Sequence, residues 1–318
     1  MAIAQPAPPA PLPASVAAAT STLVRLRYAA RELSLFPRMP PRAQIAGAYS
    51  SRFRGRGMDF DEVRPYLPGD DRRSIDWRVT ARTSQTHTKV YREERERPVM
   101  LVVDLRQSMF FGSQRCKSVS ACEVAAALAW AGLNAGDRVG GLVFSPTREQ
   151  DIRARNSHHS VLQIIKTLAE TSAGLIARQT DRHSLTNIFE HARRVTHPGS
   201  TLVIISDFLD FNRDCESQLF ELGRHCDLTL CQISDTLDRE LPPAGLYPVN
   251  DGGTRFTLDA RQPEHRKAYH LKRQRQAAHL RKSAAALRAS YLFIDNDQNP
   301  LATLVDVYGA RNQRRRHR

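Results

Sequence analysis

The sequence predicts an α/β fold: a mostly parallel sheet with helices on both faces, preceded by a small loop-and-hairpin segment. Three observations predict it. From Val99 onward, short apolar runs alternate with stretches of helical length and periodicity, the pattern of strands joined by crossover helices. Two of those runs, Val99–Val103 and Thr201–Ile205, lead directly into Asp104 and Ser206-Asp207, and ligands of open α/β sheets sit at the carboxyl ends of the strands. Residues 45–98 lack this alternation and are rich in Gly, Arg and Asp.

The elements follow in order. Residues 1–20 are Pro/Ala-rich and are expected to form a disordered leader. Over residues 22–36, Leu23, Leu26, Ala30 and Leu33 share one helical face, and Pro37, Pro40 and Pro41 end the helix. Residues 45–98 contain short extended pieces such as Thr86–Tyr91. Strands are expected at Val99–Val103, Arg138–Phe144, Thr201–Ile205, Leu228–Ser234 and Tyr291–Ile294. Helices are expected at Lys117–Asn134, Ser157–Glu170, Ser184–Val195, Cys215–Arg224, Glu264–Ala289 and Leu301–Tyr308. Leu246–Val249 and Arg255–Leu258 flank a turn at Asp251-Gly252-Gly253. The chain therefore divides into a leader with a short amphipathic helix (1–44), a segment packing on the main domain (45–98), the sheet domain (99–310) and a basic tail (311–318).

With 47 Lys+Arg against 33 Asp+Glu the chain carries a formal charge of +14, so an acidic partner is worth seeking. The surplus lies in residues 1–57 and 261–318, while 58–260 is slightly acidic. A nucleic-acid enzyme would carry its basic patch on the folded domain that does the work. The five cysteines form no Cys-x-x-Cys pair, which argues against a zinc ribbon and for buried thiols in a reducing, cytoplasmic setting. The N-terminus lacks the basic region of a secretory signal, and the longest apolar stretch, 124–133, is far short of the ~20 residues that span a bilayer.

The first chemical constellation is Asp104-Leu105-Arg106-Gln107-Ser108, with Asp207 from a second loop. A carboxylate, a nearby hydroxyl and a second carboxylate suit a hard cation such as Mg²⁺, which takes oxygen ligands and retains waters. The pattern resembles the metal-ion-dependent adhesion site of von Willebrand factor A domains, whose first loop reads Asp-x-Ser-x-Ser. That resemblance implies Asp104, Ser108 and Asp207 as metal ligands. Arg106 stands where that motif has its first Ser, and it has no acceptor. Beside a cation at ~4 Å and an effective dielectric of ~20 it would be repelled by ~4 kcal/mol per unit charge. Arg106 either folds inward, its guanidinium replacing the cation beside Asp104 or Asp207, or points to solvent and leaves room for metal. Thr180, Ser184 and Thr186 are the candidates for the remaining hydroxyl ligand.

The second constellation is residues 55–82, GRGMDFDEVRPYLPGDDRRSIDWRVTAR. Gly55, Gly57, Asp59, Phe60, Val63, Arg64, Tyr66, Pro68, Gly69, Asp70, Asp71, Arg73, Ile75, Asp76, Trp77, Ala81 and Arg82 match, in order, the signature of the bacterial "domain of unknown function 58" family. The resemblance runs on through Asp104, Ser108–Gly112, Gly136–Phe144 and Ile205–Phe208, covering about residues 45–300. It implies a Rossmann-like, von Willebrand factor A-type fold of the soluble branch, working as a non-enzymatic adaptor or co-chaperone for a MoxR-type AAA+ ATPase. Physically, Pro68-Gly69 favours a tight turn, and Asp70, Asp71 and Asp76 interleave with Arg64, Arg72, Arg73, Arg78 and Arg82 as an ion-pair network would. Trp77 is expected to bury a large area and anchor the segment.

Other features point away from catalysis. Ser108 lacks a Gly-x-Ser-x-Gly elbow, no Gly-x-x-x-x-Gly-Lys phosphate loop is present, and His158-His159 has no third ligand in view. The expected contact face is the carboxyl edge of the sheet, where Asp104 and Asp207 hold a metal or Arg106 offers a cationic point to a partner's carboxylate. The competing reading is a nucleic-acid-associated protein binding through the basic helix 264–289 and the tail.

Overall fold

Alternation along the strands builds the core. The computed structural model describes residues 12–33, 58–67, 72–83, 85–93, 98–250 and 255–309. These fall into two units, a large one formed by the N-terminal segment together with the chain from residue 97 onward, and a small one between them.

In the large unit the first elements are α1 (Thr20–Arg25), β3 (Pro98–Asp104) and α3 (Lys117–Asn134); β1, β2 and α2 belong to the small unit. Along β3, Val99, Leu101 and Val103 enter one core and Met100 and Val102 the other, as a period of two requires. The remaining strands are β4 (Arg138–Phe144), β5 (Glu149–Arg155), β6 (Thr201–Ser206), β7 (Asp227–Ser234) and β10 (Ser290–Asp295). The sheet order is β10-β7-β6-β3-β4-β5, with β5 antiparallel and the rest parallel. This is doubly wound order, and its switch point lies between β3 and β6. Helices α3, α4 (His158–Gly174) and α9 (Pro300–Tyr308) contribute to the first core. Helices α5 (Leu185–Val195), α6 (Arg213–Gly223) and α8 (Pro263–Ala286) contribute to the second. A separate hairpin pairs β8 (Leu246–Asn250) with β9 (Arg255–Asp259); the expected turn at 251–253 lies outside the described residues.

Helix α3 is the centre of the fold. Its alanine-rich sequence favours helix, and it is buried almost all round from Lys117 to Gly132. It ends in a Schellman motif: Gly136 takes φ +83° and bonds Leu133 O, while the Asp137 N–H bonds Gly132 O.

Three expectations need correction in the large unit. Residues 12–20 are not a disordered leader. Ala17 and Ala18 are buried, the Cys116 N–H bonds Ser15 O, and the Ala18 N–H donates to Ser172 Oγ. The helix expected over 22–36 shortens to α1 and a single 3₁₀ turn at Ala29–Glu32, with Leu23 and Ala30 fully buried. Its apolar face is real, but it is used as a strap: Trp130 Nε1 donates to Leu23 O, and Leu33 bridges Gly309. Finally, β5 was not foreseen, because an edge strand that buries only Ile152 fully shows little apolar alternation.

In the small unit β1 (Met58–Pro65) and β2 (His87–Glu93) pair antiparallel, with α2 (Trp77–Thr83) in the connection. Asp76 caps α2, its Oδ1 accepting the N–H groups of Arg78 and Val79, and it pairs with Lys89 at 3.6 Å rather than with the neighbouring arginines. Gly69, Asp70 and Asp71 lie outside the described residues. Arg73 and Arg82 are exposed, and Arg64 and Tyr66 are half-buried. Trp77 is 69% exposed, so it is not buried within the small unit. It opens a short helix with no fully buried residue, and that helix offers no core to enter.

Candidate functional site

The switch point sets the geometry. Val103 and Ile205 pair in register, so β3 and β6 deliver Asp104 and Ser206 side by side. Ser206 Oγ donates to Asp104 Oδ2 at 2.7 Å and accepts the Phe208 N–H at 3.0 Å. Phe208 sits at φ +53°, a left-handed conformation that costs a non-glycine residue about 1–2 kcal/mol. The bond to Ser206 holds that turn and directs Asp207 inward, where it is buried.

Arg106 folds inward and uses all five of its N–H donors. Nε and Nη2 grip Asp104 at 3.0 and 2.8 Å. Nη1 and Nη2 grip Asp210 at 2.8 and 2.9 Å, and Nη1 also reaches His183 O at 3.3 Å. Burial disfavours the guanidinium charge, but Asp104 and Asp210 outweigh it and hold the arginine pKa above its ordinary value. The same pairing holds the Asp210 carboxyl below the usual range, against the opposing effect of burial.

A second cation lies at the start of α3. Lys117 is fully buried, and its Nζ donates to Asp207 Oδ2 at 2.9 Å and to both oxygens of Asp238 at 3.1 and 2.9 Å. Burial alone would lower the lysine pKa, yet Asp207 and then Asp238 raise it. Burial would raise the Asp207 carboxyl, and Lys117 pulls it below the carboxylate norm. Asp235 caps the short helix α7 (Thr236–Arg239), and Asp238 completes the capping box from its third position.

Asp104 and Asp207 do stand at the ends of adjacent strands, but their donor set does not fit a divalent cation. Both oxygens of Asp104 accept from Arg106, and Asp207 accepts from Lys117 and from the Leu209 N–H. Fixed positive groups already face both carboxylates, so a metal would meet repulsion on two sides. Ser108 Oγ is buried without a hydrogen-bond partner among the described residues. Among the described residues no cluster of three or more His, Cys, Asp or Glu is arranged to hold a metal ion.

The expectation that Arg106 offers a free cationic point is also corrected: it is 5% exposed and has no donor to spare. Of the candidate hydroxyls, Ser184 caps α5, Thr186 contacts Cys215 Sγ, and Thr180 is exposed. Their loop contributes instead through Asp181, which accepts the Gln107 N–H at 2.8 Å, and through the His183 carbonyl. Burial pushes the Asp181 carboxyl up. Lys117, Asp210 and Asp238 were missed. The signal for Lys117 was a lysine heading a helix too apolar to leave it in water.

What stands at the switch point is thus a doubly wound α/β domain whose ligand crevice is closed by its own ion pairs. A family model, "Protein of unknown function DUF58", matches residues 62–279, more than half of the chain, and the chain belongs to that family. The uncharacterized proteins Rv1480 of Mycobacterium tuberculosis and Mb1516 of Mycobacterium bovis are each 29% identical over 297 residues, covering 91% of this chain and 90% of theirs. Similar solved structures include the conserved hypothetical protein BatB from Bacteroides thetaiotaomicron, with TM-score 0.40 and 13% identity over 65% of this chain and 93% of that one. A von Willebrand factor type A protein from Catenulispora acidiphila gives TM-score 0.39 and 14% identity over 70% of this chain and 43% of that one. Among the described residues no helix is long and apolar enough to cross a membrane.

Proposed function

We propose that this protein is a non-enzymatic, cytoplasmic adaptor of von Willebrand factor A type that docks a MoxR-type AAA+ ATPase at the carboxyl edge of its sheet. The observation that carries the reading is the ion-paired switch point: Asp104 and Asp207 are committed to Arg106 and Lys117, Ser206 is spent between Asp104 and the Phe208 turn, and Ser108 Oγ has no hydrogen-bond partner among the described residues. Such a centre shapes and stiffens loops and has no positioned general base or nucleophile. The residues available to a partner form the rim: Phe111, 43% exposed with its ring 5.6 Å from Lys117 Nζ, and Ile176, 50% exposed beyond Leu175, whose carbonyl accepts from Gln107. Exposed aromatic and aliphatic groups around a rigid polar centre are the composition of an interaction hot spot.

The test is capture of the ATPase by purified protein after nuclease treatment. Replacing Asp104 and Asp207 is the wrong probe, because it strands Arg106 and Lys117 without partners. Phe111→Ala with Ile176→Ala is the right one, and Phe220→Ala on α6 is the control. The rim variant is expected to lose the ATPase while the control retains it; equal recovery by both would sink the proposal. The competing nucleic-acid reading draws on the exposed Lys267, Lys272, Arg275 and Lys282 of α8. It predicts binding that falls steeply with salt.

A further inference from the structure

A cleft of about 90 Å³ opens beside the switch point, between the carboxyl ends of β6 and β7 and the overlying α8. Three arginines line it: Arg239, Arg273 and Arg281. Their commitments differ. Arg239 is paired with Asp295 at 3.1 Å and donates to Thr236 Oγ1. Arg273 and Arg281 form no ion pair among the described residues. Arg273 donates from Nη1 to Gln276 Oε1 and lies over the Tyr269 ring at 5.0 Å, and its Nε is buried without a partner. Arg281 lies over the Tyr291 ring at 5.6 Å.

The positions of both guanidiniums are supported by their neighbours. Tyr269 OH is tied to Leu237 O, Tyr291 OH to Gln232 Oε1, and Gln276 Nε2 to Leu209 O. The two carboxylates at the cleft, Asp207 and Asp238, share Lys117, so one of their two negative charges is already opposed, and three arginines line the same cleft. A buried guanidinium N–H without an acceptor carries a desolvation penalty that an incoming oxygen would relieve.

We propose that this cleft is an oxyanion site that takes a phosphate group through Arg273 and Arg281. Two guanidiniums without an ion pair match the −1.5 to −2 charge of a phosphate near neutral pH (roughly, by its second ionisation) better than they match a single carboxylate. The proposal is independent of the adaptor reading, since phosphate binding requires no partner protein.

The test is titration calorimetry of inorganic phosphate into the full chain at constant ionic strength, with acetate as comparison and phenyl phosphate as a second ligand. Arg273→Gln with Arg281→Gln is expected to weaken phosphate binding by about tenfold to hundredfold, the loss of one or two charge-assisted bonds. Arg275→Gln with Lys282→Gln, exposed positions of the same helix, is expected to leave it unchanged. Arg273→Lys keeps the charge but loses the fork, and is expected to fall between the two. Thermal melts of each variant separate unfolding from loss of the site. Binding of phosphate and phenyl phosphate alike supports a site that reads a phosphoryl group on a larger molecule, and binding of phosphate alone supports a site for the free ion. Equal affinity for acetate, or equal phosphate affinity in the double glutamine variant, would overturn the proposal.

Discussion

Arg106 and Lys117 sit at the same sheet edge and solve the same problem in different ways. Arg106 spreads its charge over a planar fork, two carboxylates and a carbonyl, and one of those carboxylates, Asp210, keeps 42% of its side chain in solvent. Lys117 is a point charge with no exposure, joining the start of α3, the end of β6 and the start of α7. The arginine ties neighbouring loops together at a place water can partly reach. The lysine holds three elements together where water cannot reach it, so its loss leaves charge that nothing else can solvate. Both groups are expensive to bury, and breaking such a pair from one side is more damaging than never having built it.

The largest expected effect tests that contrast directly. Lys117→Met removes the ammonium at similar volume and leaves Asp207 and Asp238 buried against each other. A loss of about 3–5 kcal/mol is expected in denaturant unfolding. Adding Asp207→Asn and Asp238→Asn should recover much of it, and no recovery would show that the pair does more than balance charge. Arg106→Lys should cost less, about 1.5–3 kcal/mol, because one ammonium cannot replace a five-donor fork but keeps the charge beside Asp104. If Arg106→Lys costs as much as Lys117→Met, solvent access at Asp210 does not soften the site. The smallest effect is pH dependence. Asp207 and Asp210 have folded pKa values below their unfolded ones, so their contribution is present above about pH 4 and is lost as pH falls through the lower folded values. Lys117 is raised, so its contribution is present below about pH 10.4 and is lost only as pH rises past its higher folded value. Melting temperature is expected to hold level from about pH 5 to about pH 8, to drop in acid, and to fall above about pH 8.5 as the unfolded chain ionises thiols that burial keeps protonated in the fold; a drop beginning near neutrality would contradict the assigned directions.

Much of the sheet domain was legible because its strands are buried on both faces and read as continuous apolar runs. The run 99–103 and the helix 117–134 are found at those positions. The site was half legible. Asp104 and Asp207 stood out because apolar strands led to them, and the inward turn of Arg106 was one of two open alternatives. Asp238 did not stand out, because a charge in a capping box has the same local pattern whether it is exposed or buried, and Lys117 carried only the indirect signal of the apolar helix that it heads. The size of Trp77 argues for burial, but the short helix that carries it buries no residue within the small unit.

By itself the sequence determined the order of strands and helices, the two carboxyl-edge aspartates and the absence of a P-loop, because these follow from local periodicity and local chemistry. Only the tertiary structure decided what those aspartates do. Lys117 reaches partners 90 and 121 residues away, and Arg106 one 104 residues away. Such pairings depend on which strands lie side by side at the switch point, and nothing within a turn of either residue encodes that. The leader became a strap for the same reason: its apolar face matched a groove over α3 that exists only once the sheet domain has closed.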